Sequence, residues 1–297
     1  MKKPMHSTTI TTRPMAFKAK QFKEVMKLRL SGLVVFSGGF GFLLAVEDVF
    51  YWGPFIALLI GSLLITGAAN TINQIIERDL DKLMKRTAGR PMPTGGLSVT
   101  EAIIFAVVLT ALGTAILAIF VNLLAASLSL FSLILYAFVY TPLKQITPLS
   151  VLVGAFPGAF PPLIGWVGMT GEISTEAIII YGIQFFWQFP HFWAIAWVAN
   201  DDYNKAGFKM LPYGKSLQTA TQIMIYTLFL VPLSILPFQV QMIGVTSAII
   251  AGVASVLFLA LSFVLIKKQT NKAAKQIMFA SFFYLPIIQI AYLLDKI

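Results

Sequence analysis

The 297-residue chain is 58% hydrophobic and 11% charged, with a mean hydropathy of +0.82. A soluble domain of this size carries roughly twice that charged fraction, so the composition excludes an ordinary soluble protein and predicts an all-α, polytopic membrane protein. Cysteine is absent, which excludes disulfides, thiolate metal sites and cysteine nucleophiles. The net charge of +10 has to be interpreted through its distribution between loops, and we expect no nucleic-acid partner.

The first part of the chain differs from the rest. Residues 1–27 are polar and Lys-rich and are predicted to form a basic cytoplasmic tail. Residues 28–297 are predicted to form a single transmembrane domain, because apolar runs of about 17 to 25 residues, long enough to span a bilayer, follow one another there. We expect about nine transmembrane helices around an apolar cavity open to the cytoplasmic side. The runs lie near 28–46, 53–76, 99–120, 122–140, 150–169, 175–198, 219–238, 243–266 and 276–294.

The distribution of Lys and Arg predicts the orientation of these helices in the lipid bilayer. Twenty-one of the twenty-two positive charges fall on the side that holds the tail and every second loop, and the remaining one is Lys296. By the positive-inside rule that side is the cytoplasm. The N-terminus is therefore predicted to be cytoplasmic and the C-terminus to lie outside.

The stretch Asn73–Pro91 combines three acids with five Arg or Lys residues in nineteen positions. If it begins on a helix, Asn73, Glu77 and Asp81 follow one another at i, i+4 and i+8 and share one face. We expect that face to have few neutralising neighbours. Two carboxylates one turn apart repel each other, so their spacing favours a divalent cation bound between them. The alternative is an interfacial charged turn that pairs these acids with nearby Arg and Lys residues.

Cationic residues follow the acids directly. These cations lie on a segment that ends in Gly89 and Pro91 and follows the metal-binding oxygens, which predicts a diphosphate site. The alternative is that the same charges only fix the orientation of the helices in the membrane. A guanidinium binds phosphate or a carboxylate in a bidentate manner, which favours the functional interpretation. The residues in question are Lys85, Arg86 and Arg90.

Further polar residues are predicted to lie on the same cytoplasmic face. A second acidic cluster follows the sixth run, and there we favour Asp202 over Asp201 as a ligand. His191, near the end of that run, is interpreted as lining the site, where it contacts diphosphate or satisfies a buried hydrogen bond. The other predicted residues at the mouth of the site are Tyr140, Lys144, Tyr203 and Lys205.

Five ordered blocks and the Asn73–Glu77–Asp81 spacing together resemble the UbiA-type intramembrane prenyltransferases, and in particular their haem-farnesylating branch. The N-x-x-x-D/E-x-x-x-D pattern is typical of the superfamily. The extended blocks are similar to those of the haem branch over nearly the whole chain after the tail. They are MKRTAGRPMPTG (84–95), YTPLKQITP (140–148), GAFPGAFPPLIGW (154–166), WQFPHFWAIAW (187–197) and DYNKAGFKMLP (202–212).

The resemblance implies a farnesyl diphosphate donor, a haem B acceptor and haem O as the product, in a bacterial cell membrane. With a haem acceptor, ligation of haem iron is a third alternative for His191. The resemblance also implies Mg²⁺ held by both acidic motifs, and haem A synthase or oxidase assembly proteins as partners. The residues agree, since Mg²⁺ prefers oxygen ligands and Asn73, Glu77, Asp81 and Asp202 offer them. Two alternatives stay open: a prenyltransferase with an aromatic, quinone-precursor acceptor, and a membrane transporter with cytoplasmic ion sites.

Overall fold

The computed structural model describes the backbone of residues 15–297 and the side chains of residues 17–297, so the first fourteen residues of the predicted tail lie outside the described part. Within that part the fold is all-α, with no β-strand. The helices of the first half are α1 (Met15–Val25), α2 (Leu28–Leu44), α3 (Trp52–Ile76), α4 (Arg78–Asp81), α5 (Val99–Phe120), α6 (Leu123–Ile134) and α7 (Thr141–Ile146), with a π-helical turn at Leu135–Tyr140. Those of the second half are α8 (Ser150–Thr170), α9 (Thr175–Val198), α10 (Asn200–Lys205), α11 (Leu217–Leu233), α12 (Leu236–Gln239), α13 (Val245–Lys268) and α14 (Asn271–Leu294).

Each of the nine predicted runs coincides with one of these helices or with two consecutive ones. Among the described residues, seven helical segments are long and apolar enough to cross a membrane, and α1 with α2, bent by 46°, makes an eighth if the pair is one span. Helix α9 is not among them, because Gln184, Gln188 and His191 make it more polar. The multi-pass membrane fold is therefore confirmed, and the count of nine is not.

The long helices pack in a closed ring. Each helix of the ring contacts the next one, and α14 contacts α2 again. The order is α2, α3, α5, α6, α8, α9, α11, α13 and α14. Helix α2 also packs along α8, and α9 along α14, so these four helices occupy the centre. The apolar cavity expected at the cytoplasmic mouth stays a prediction.

Glycines allow the central pair α2 and α8 to approach closely. A methyl group added at Gly165 would collide with the backbone carbonyl of Gly38, and one added at Gly41 would collide with that of Pro162. Small residues at a helix crossing let two backbones approach in an apolar environment, where packing drives association. Block 154–166 therefore shapes the scaffold that carries the site.

The break between α1 and α2 is held by two amide side chains of α3. Asn70 Nδ2 donates to the carbonyl of Met26 at 3.3 Å, and Gln74 Nε2 donates to that of Val25 at 2.8 Å. The bond from Gln74 satisfies a carbonyl at the end of α1, and the Met26 carbonyl also accepts from Ser31 Oγ at 2.8 Å. Lys27 follows in the left-handed backbone region, with φ 50°, and turns the chain into α2. The start of the first predicted span is thus fixed to the end of α3, where Asn73 and Glu77 lie.

The fourth predicted span contains a π-helical turn between α6 and α7. Thr141 Oγ1 donates to the carbonyl of Tyr136 at 2.8 Å, and Pro142 stands in the first turn of α7. A π-helical turn inserts one extra residue per turn and rotates the side chains that follow it, and such turns are frequent at functional sites. Here the turn directs Thr141 and Lys144 toward α3.

Candidate active site

The three residues of the first acidic motif share one buried face, as their spacing predicts. Helix α3 ends at Ile76, but the i to i+4 bonding continues across the break, with Glu77 N 3.0 Å from the carbonyl of Asn73 and Asp81 N 2.8 Å from that of Glu77. Asn73, Glu77 and Asp81 are 2%, 4% and 0% exposed. Two ionisable carboxylates are therefore held out of contact with bulk water.

Each buried carboxylate has a cationic partner from another part of the chain. Lys144 Nζ lies 2.6 Å from Glu77 Oε1, and Arg90 Nη1 donates to Asp81 Oδ2 at 2.7 Å. The expectation of few neutralising neighbours is therefore wrong. The physical reason is that a buried carboxylate without a partner is too costly to keep ionised, so the fold supplies a cation to each.

Asp79 shows what the same segment does with an acid that lies off this face. Its carboxylate is exposed and accepts from Lys82 at 2.7 Å and from Arg78 at 3.2 Å. The hydrogen bond from Lys82 and then that from Arg78 lower the pKa of Asp79. The charged-turn alternative thus describes Asp79, whereas Glu77 and Asp81 use Lys144 and Arg90.

Helix α7 and the π-helical turn form the opposite wall. Asn73 Nδ2 donates to Thr141 Oγ1 at 3.1 Å, one turn before the pair between Glu77 and Lys144. The Lys144 ammonium also lies 4.7 Å from the ring centre of Tyr140 and 5.6 Å from that of Phe208. These distances are typical of cation–π contacts, so Lys144 is enclosed by one carboxylate and two rings.

Lys27 is a site residue that the sequence did not single out. Burial and then the charges of Arg90 and Lys144 lower its pKa to about 7, while Glu77 and Asp81 act in the opposite direction. The Lys27 amine is therefore electrostatically coupled to both ion pairs and only partly protonated near neutral pH. The sequence shows only that Lys27 lies at the start of the first predicted span. Its proximity to the acidic motif depends on the hydrogen bonds that α3 makes to the end of α1.

The second acidic cluster reaches the first through aromatic and backbone contacts. Arg86 lies 5.8 Å from the ring centre of Tyr203, and Lys209 N donates to the carbonyl of Lys144 at 2.6 Å. Tyr203 in turn packs edge-on against Phe208. The two segments predicted to lie on one face are thus in contact, although their carboxylates are not.

The acids of the second cluster are more open to solvent. The side chain of Asp202 is 26% exposed and 3.6 Å from Lys205, and that of Asp201 is 85% exposed and 3.5 Å from Lys215. Lys85 is exposed and has no ion pair in the described part of the chain.

His191 lies in a different contact network. Its Nδ1 is 2.7 Å from Ser281 Oγ of α14, and its ring stacks on Trp187 with 4.5 Å between ring centres. No described contact connects it with either acidic cluster. The hydrogen bond to Ser281 agrees with the buried-hydrogen-bond alternative, and its role as a site residue stays a prediction.

The donor set fits a divalent cation, although the described residues include no group of three Asp, Glu or His side chains close enough to form a metal site by themselves. Asp81 Oδ1 is buried and has no hydrogen-bond partner within the described range, which leaves one oxygen of the motif available. Asn73, Glu77 and Asp202 would add oxygens of the kind that Mg²⁺ prefers. A magnesium ion held here would complete its coordination with phosphate oxygens and water.

The fold and the site together define a multi-pass membrane protein with a buried carboxylate motif held against cationic side chains. The profile of the UbiA prenyltransferase family matches residues 34–285. The chain belongs to this family.

A curated relative and two solved structures refine this assignment. The chain is 51% identical to a protein of Cytophaga hutchinsonii described as protoheme IX farnesyltransferase, over 95% of this chain and 100% of the relative. It is similar in fold to digeranylgeranylglyceryl phosphate synthase, with a TM-score of 0.80, 18% identity and coverage of 94% and 98% of the two chains. It is also similar to a UbiA homologue from Archaeoglobus fulgidus bound to GPP and Mg²⁺, with a TM-score of 0.64, 18% identity and coverage of 92% and 99%.

Proposed function

We propose that this protein transfers the farnesyl group of farnesyl diphosphate to a vinyl group of haem B, giving haem O and diphosphate. The observation that carries the proposal is the buried face of Asn73, Glu77 and Asp81 held against Lys144 and Arg90. The acceptor follows from the relative at 51% identity, whose description names a protoheme IX farnesyltransferase. The donor class is supported by the A. fulgidus homologue bound to GPP and Mg²⁺.

The ion pairs prepare the site for a charged diphosphate. Lys144 and Arg90 each hold one of the two buried carboxylates, and the partly protonated Lys27 is electrostatically coupled to both pairs. An arriving metal diphosphate would give the carboxylates a metal and give the ammonium and guanidinium groups phosphate oxygens. Charged groups that are already in place stabilise developing charge without reorganisation, which is the main source of electrostatic catalysis.

Mg²⁺, held by Asn73, Glu77, Asp81 and Asp202, would supply Lewis-acid stabilisation of the departing diphosphate. The chain's own contribution is to orient the phosphate end with Lys27, Lys144 and Arg90. The rings of Tyr140 and Phe208 beside Lys144 exclude water from the bond that breaks, and their faces favour positive charge. The allylic C–O bond breaks and its electron pair leaves with diphosphate, the π electrons of the vinyl group form the new bond to the farnesyl carbon, and water adds as hydroxyl to the other vinyl carbon and releases one proton.

The predicted orientation and organisation are part of the proposal. Both acidic segments would face the cytoplasm, with the N-terminus inside and the C-terminus outside, and residues 28–297 would act as one transmembrane domain. This orientation presents the site to water-soluble farnesyl diphosphate. Haem A synthase or an oxidase assembly protein would receive the product.

The test is product formation in membranes that lack their own haem O. Membranes containing the chain are given farnesyl diphosphate, haem B and Mg²⁺, and the pigments are analysed by mass spectrometry. We expect haem O from the wild type, none after addition of a magnesium chelator, and none from Glu77→Ala. Asp79→Ala is the matched control, because it removes an acid from the same segment that lies off the buried face, and it is expected to keep wild-type turnover.

Two results would contradict the proposal. Full turnover by Glu77→Ala would contradict the assignment of Glu77 as a metal ligand. Prenylation of an aromatic acid in place of haem would show that the protein is a prenyltransferase of quinone precursors.

A further inference from the structure

Three hydrogen-bond donors without partners lie between α9 and α11. They are Trp193 Nε1, Trp197 Nε1 and Thr219 Oγ1, in residues that are 6%, 0% and 0% exposed, and none has an acceptor in the part of the chain that the structure describes. Buried indole N–H groups usually find an acceptor. Trp187, on the same helix, shows the usual case, since its Nε1 donates to the carbonyl of Ser281 at 2.9 Å.

The three donors lie on facing surfaces of two helices. Phe189 and Trp193 both pack on Tyr226 of α11, with ring centres 4.1 Å and 5.2 Å away, and Trp197 continues that face of α9 one turn further. Thr219 lies two turns before Tyr226 on α11, and residues at that spacing share a helix face. Because residues 199–216 join the end of α9 to the start of α11, Trp197 and Thr219 lie at the same end of the pair.

The hydroxyl of Thr219 is unpaired for a local reason. Thr227, on the same helix, donates to the carbonyl of Ile223 four residues earlier, at 2.7 Å. Thr219 lies in the first turn of α11, where its backbone N–H is taken by the capping hydroxyl of Ser216 and no helical carbonyl lies four residues before it. Its donor is therefore available to a group that is not part of the helix.

We infer that these donors receive a carboxylate of the porphyrin acceptor, a haem propionate, an assignment that rests on the proposed function. A carboxylate is an acceptor-only group, which donors without acceptors would match, and Trp197 and Thr219 at the same end of the helix pair would be its nearest partners. The connection that closes this end of the helix pair carries Lys205, Lys209 and Lys215 against Asp201 and Asp202, an excess of one positive charge.

The experiment compares haem B with its dimethyl ester, in which both propionates are masked. Purified full-length protein is titrated with each compound, and binding is followed by the Soret absorbance. We expect Trp193→Phe/Trp197→Phe to bind haem at least about tenfold more weakly than the wild type, because hydrogen bonds to a charged group are lost. The dimethyl ester has no carboxylate for these donors. It should therefore bind the wild type and the double variant with equal affinity, lower than that of haem for the wild type.

Trp166→Phe is the matched control. Trp166 Nε1 is also buried without a partner in the described range, but it lies on α8, so its loss should leave the preference for haem over the ester unchanged. If the double variant does not fold, Thr219→Val is titrated in its place. Its preference for haem over the ester should then be smaller than that of the wild type.

Three outcomes would overturn the inference, and they differ from one another. Equal weakening toward haem and its ester would mean that the tryptophans act by packing alone. Unchanged haem binding would mean that the donors face interior water. A wild type that binds no haem but still prenylates another acceptor would refute the proposed function together with this assignment.

Discussion

The two acidic segments differ in how far the fold has fixed them. In the first, the side chains of Glu77 and Asp81 are 5% and 0% exposed, with cations at 2.6 Å and 2.7 Å. In the second, Asp202 is partly exposed and Asp201 is open to solvent, with lysines at 3.6 Å and 3.5 Å. Exposed pairs of this kind contribute little, whereas a buried charge that loses its partner is strongly destabilising.

This difference indicates a division of roles. The first segment is held in place before any ligand arrives, which is the requirement for electrostatic stabilisation of a leaving group. The second segment is more exposed and can adjust to a ligand when it binds. We therefore expect substitutions in the first to affect both the chemical step and stability, and those in the second to affect mainly ligand capture.

The largest effect is expected from Asp81→Asn. It keeps the shape of the side chain but removes the charge that Arg90 and a metal share, so kcat/KM for haem O formation should fall by about 10²- to 10³-fold, the range seen for the loss of one transition-state contact. Asp201→Asn, at an exposed acid, is the control and should stay near the wild type. Equal losses in the two variants would remove the distinction between the segments.

The next prediction separates stability from activity at the buried pair. Lys144→Met should leave the Glu77 carboxylate uncompensated and lower the free energy of unfolding by roughly 3–5 kcal/mol, measured as a fall in Tm of the purified protein. Adding Glu77→Gln should recover most of the Tm but none of the haem O formation. A Tm that stays low in the double variant would show that Lys144 contributes mainly by packing on Tyr140 and Phe208.

The sequence predicted helix positions well and contacts between helices poorly. Trp52–Ile76 and Val99–Phe120 agree with their predicted runs to within one residue, because a bilayer span is set by the length of local apolar sequence. The face shared by Asn73, Glu77 and Asp81 was equally local. The count of nine spans is not confirmed, because buried glutamines lower the apolarity of α9 without ending the helix.

What the sequence could not supply are the partners of the buried charges. Glu77 pairs with a lysine sixty-seven positions away, and that lysine is directed by a π-helical turn that no local pattern indicates. Lys27 is placed beside the end of α3 because Asn70 and Gln74 hold the end of α1 there. Each of these depends on tertiary packing, so periodicity and composition carry no signal for it.

A smaller effect is expected from Asp202→Asn. Because its carboxylate is partly exposed and its contact with Lys205 is long, its loss should raise KM for farnesyl diphosphate by about tenfold, the equivalent of one modest charged contact, with less change in kcat. Raising the Mg²⁺ concentration should restore part of the rate, as measured by initial rates of haem O formation. A loss in kcat as large as that of Asp81→Asn would place Asp202 in the preorganised part of the site.

The smallest effect concerns the contact that joins the two segments. Arg86 lies over the ring of Tyr203, and an exposed cation–π contact contributes about 0.5–1 kcal/mol. Arg86→Gln and Tyr203→Leu should each reduce kcat/KM a few-fold, and the double variant should be no worse than the poorer single one. Lys82→Gln, on the same segment and paired with the exposed Asp79, is the control. Fully additive losses would show that the segments are coupled through the Lys144 backbone contact with Lys209 and not through this pair.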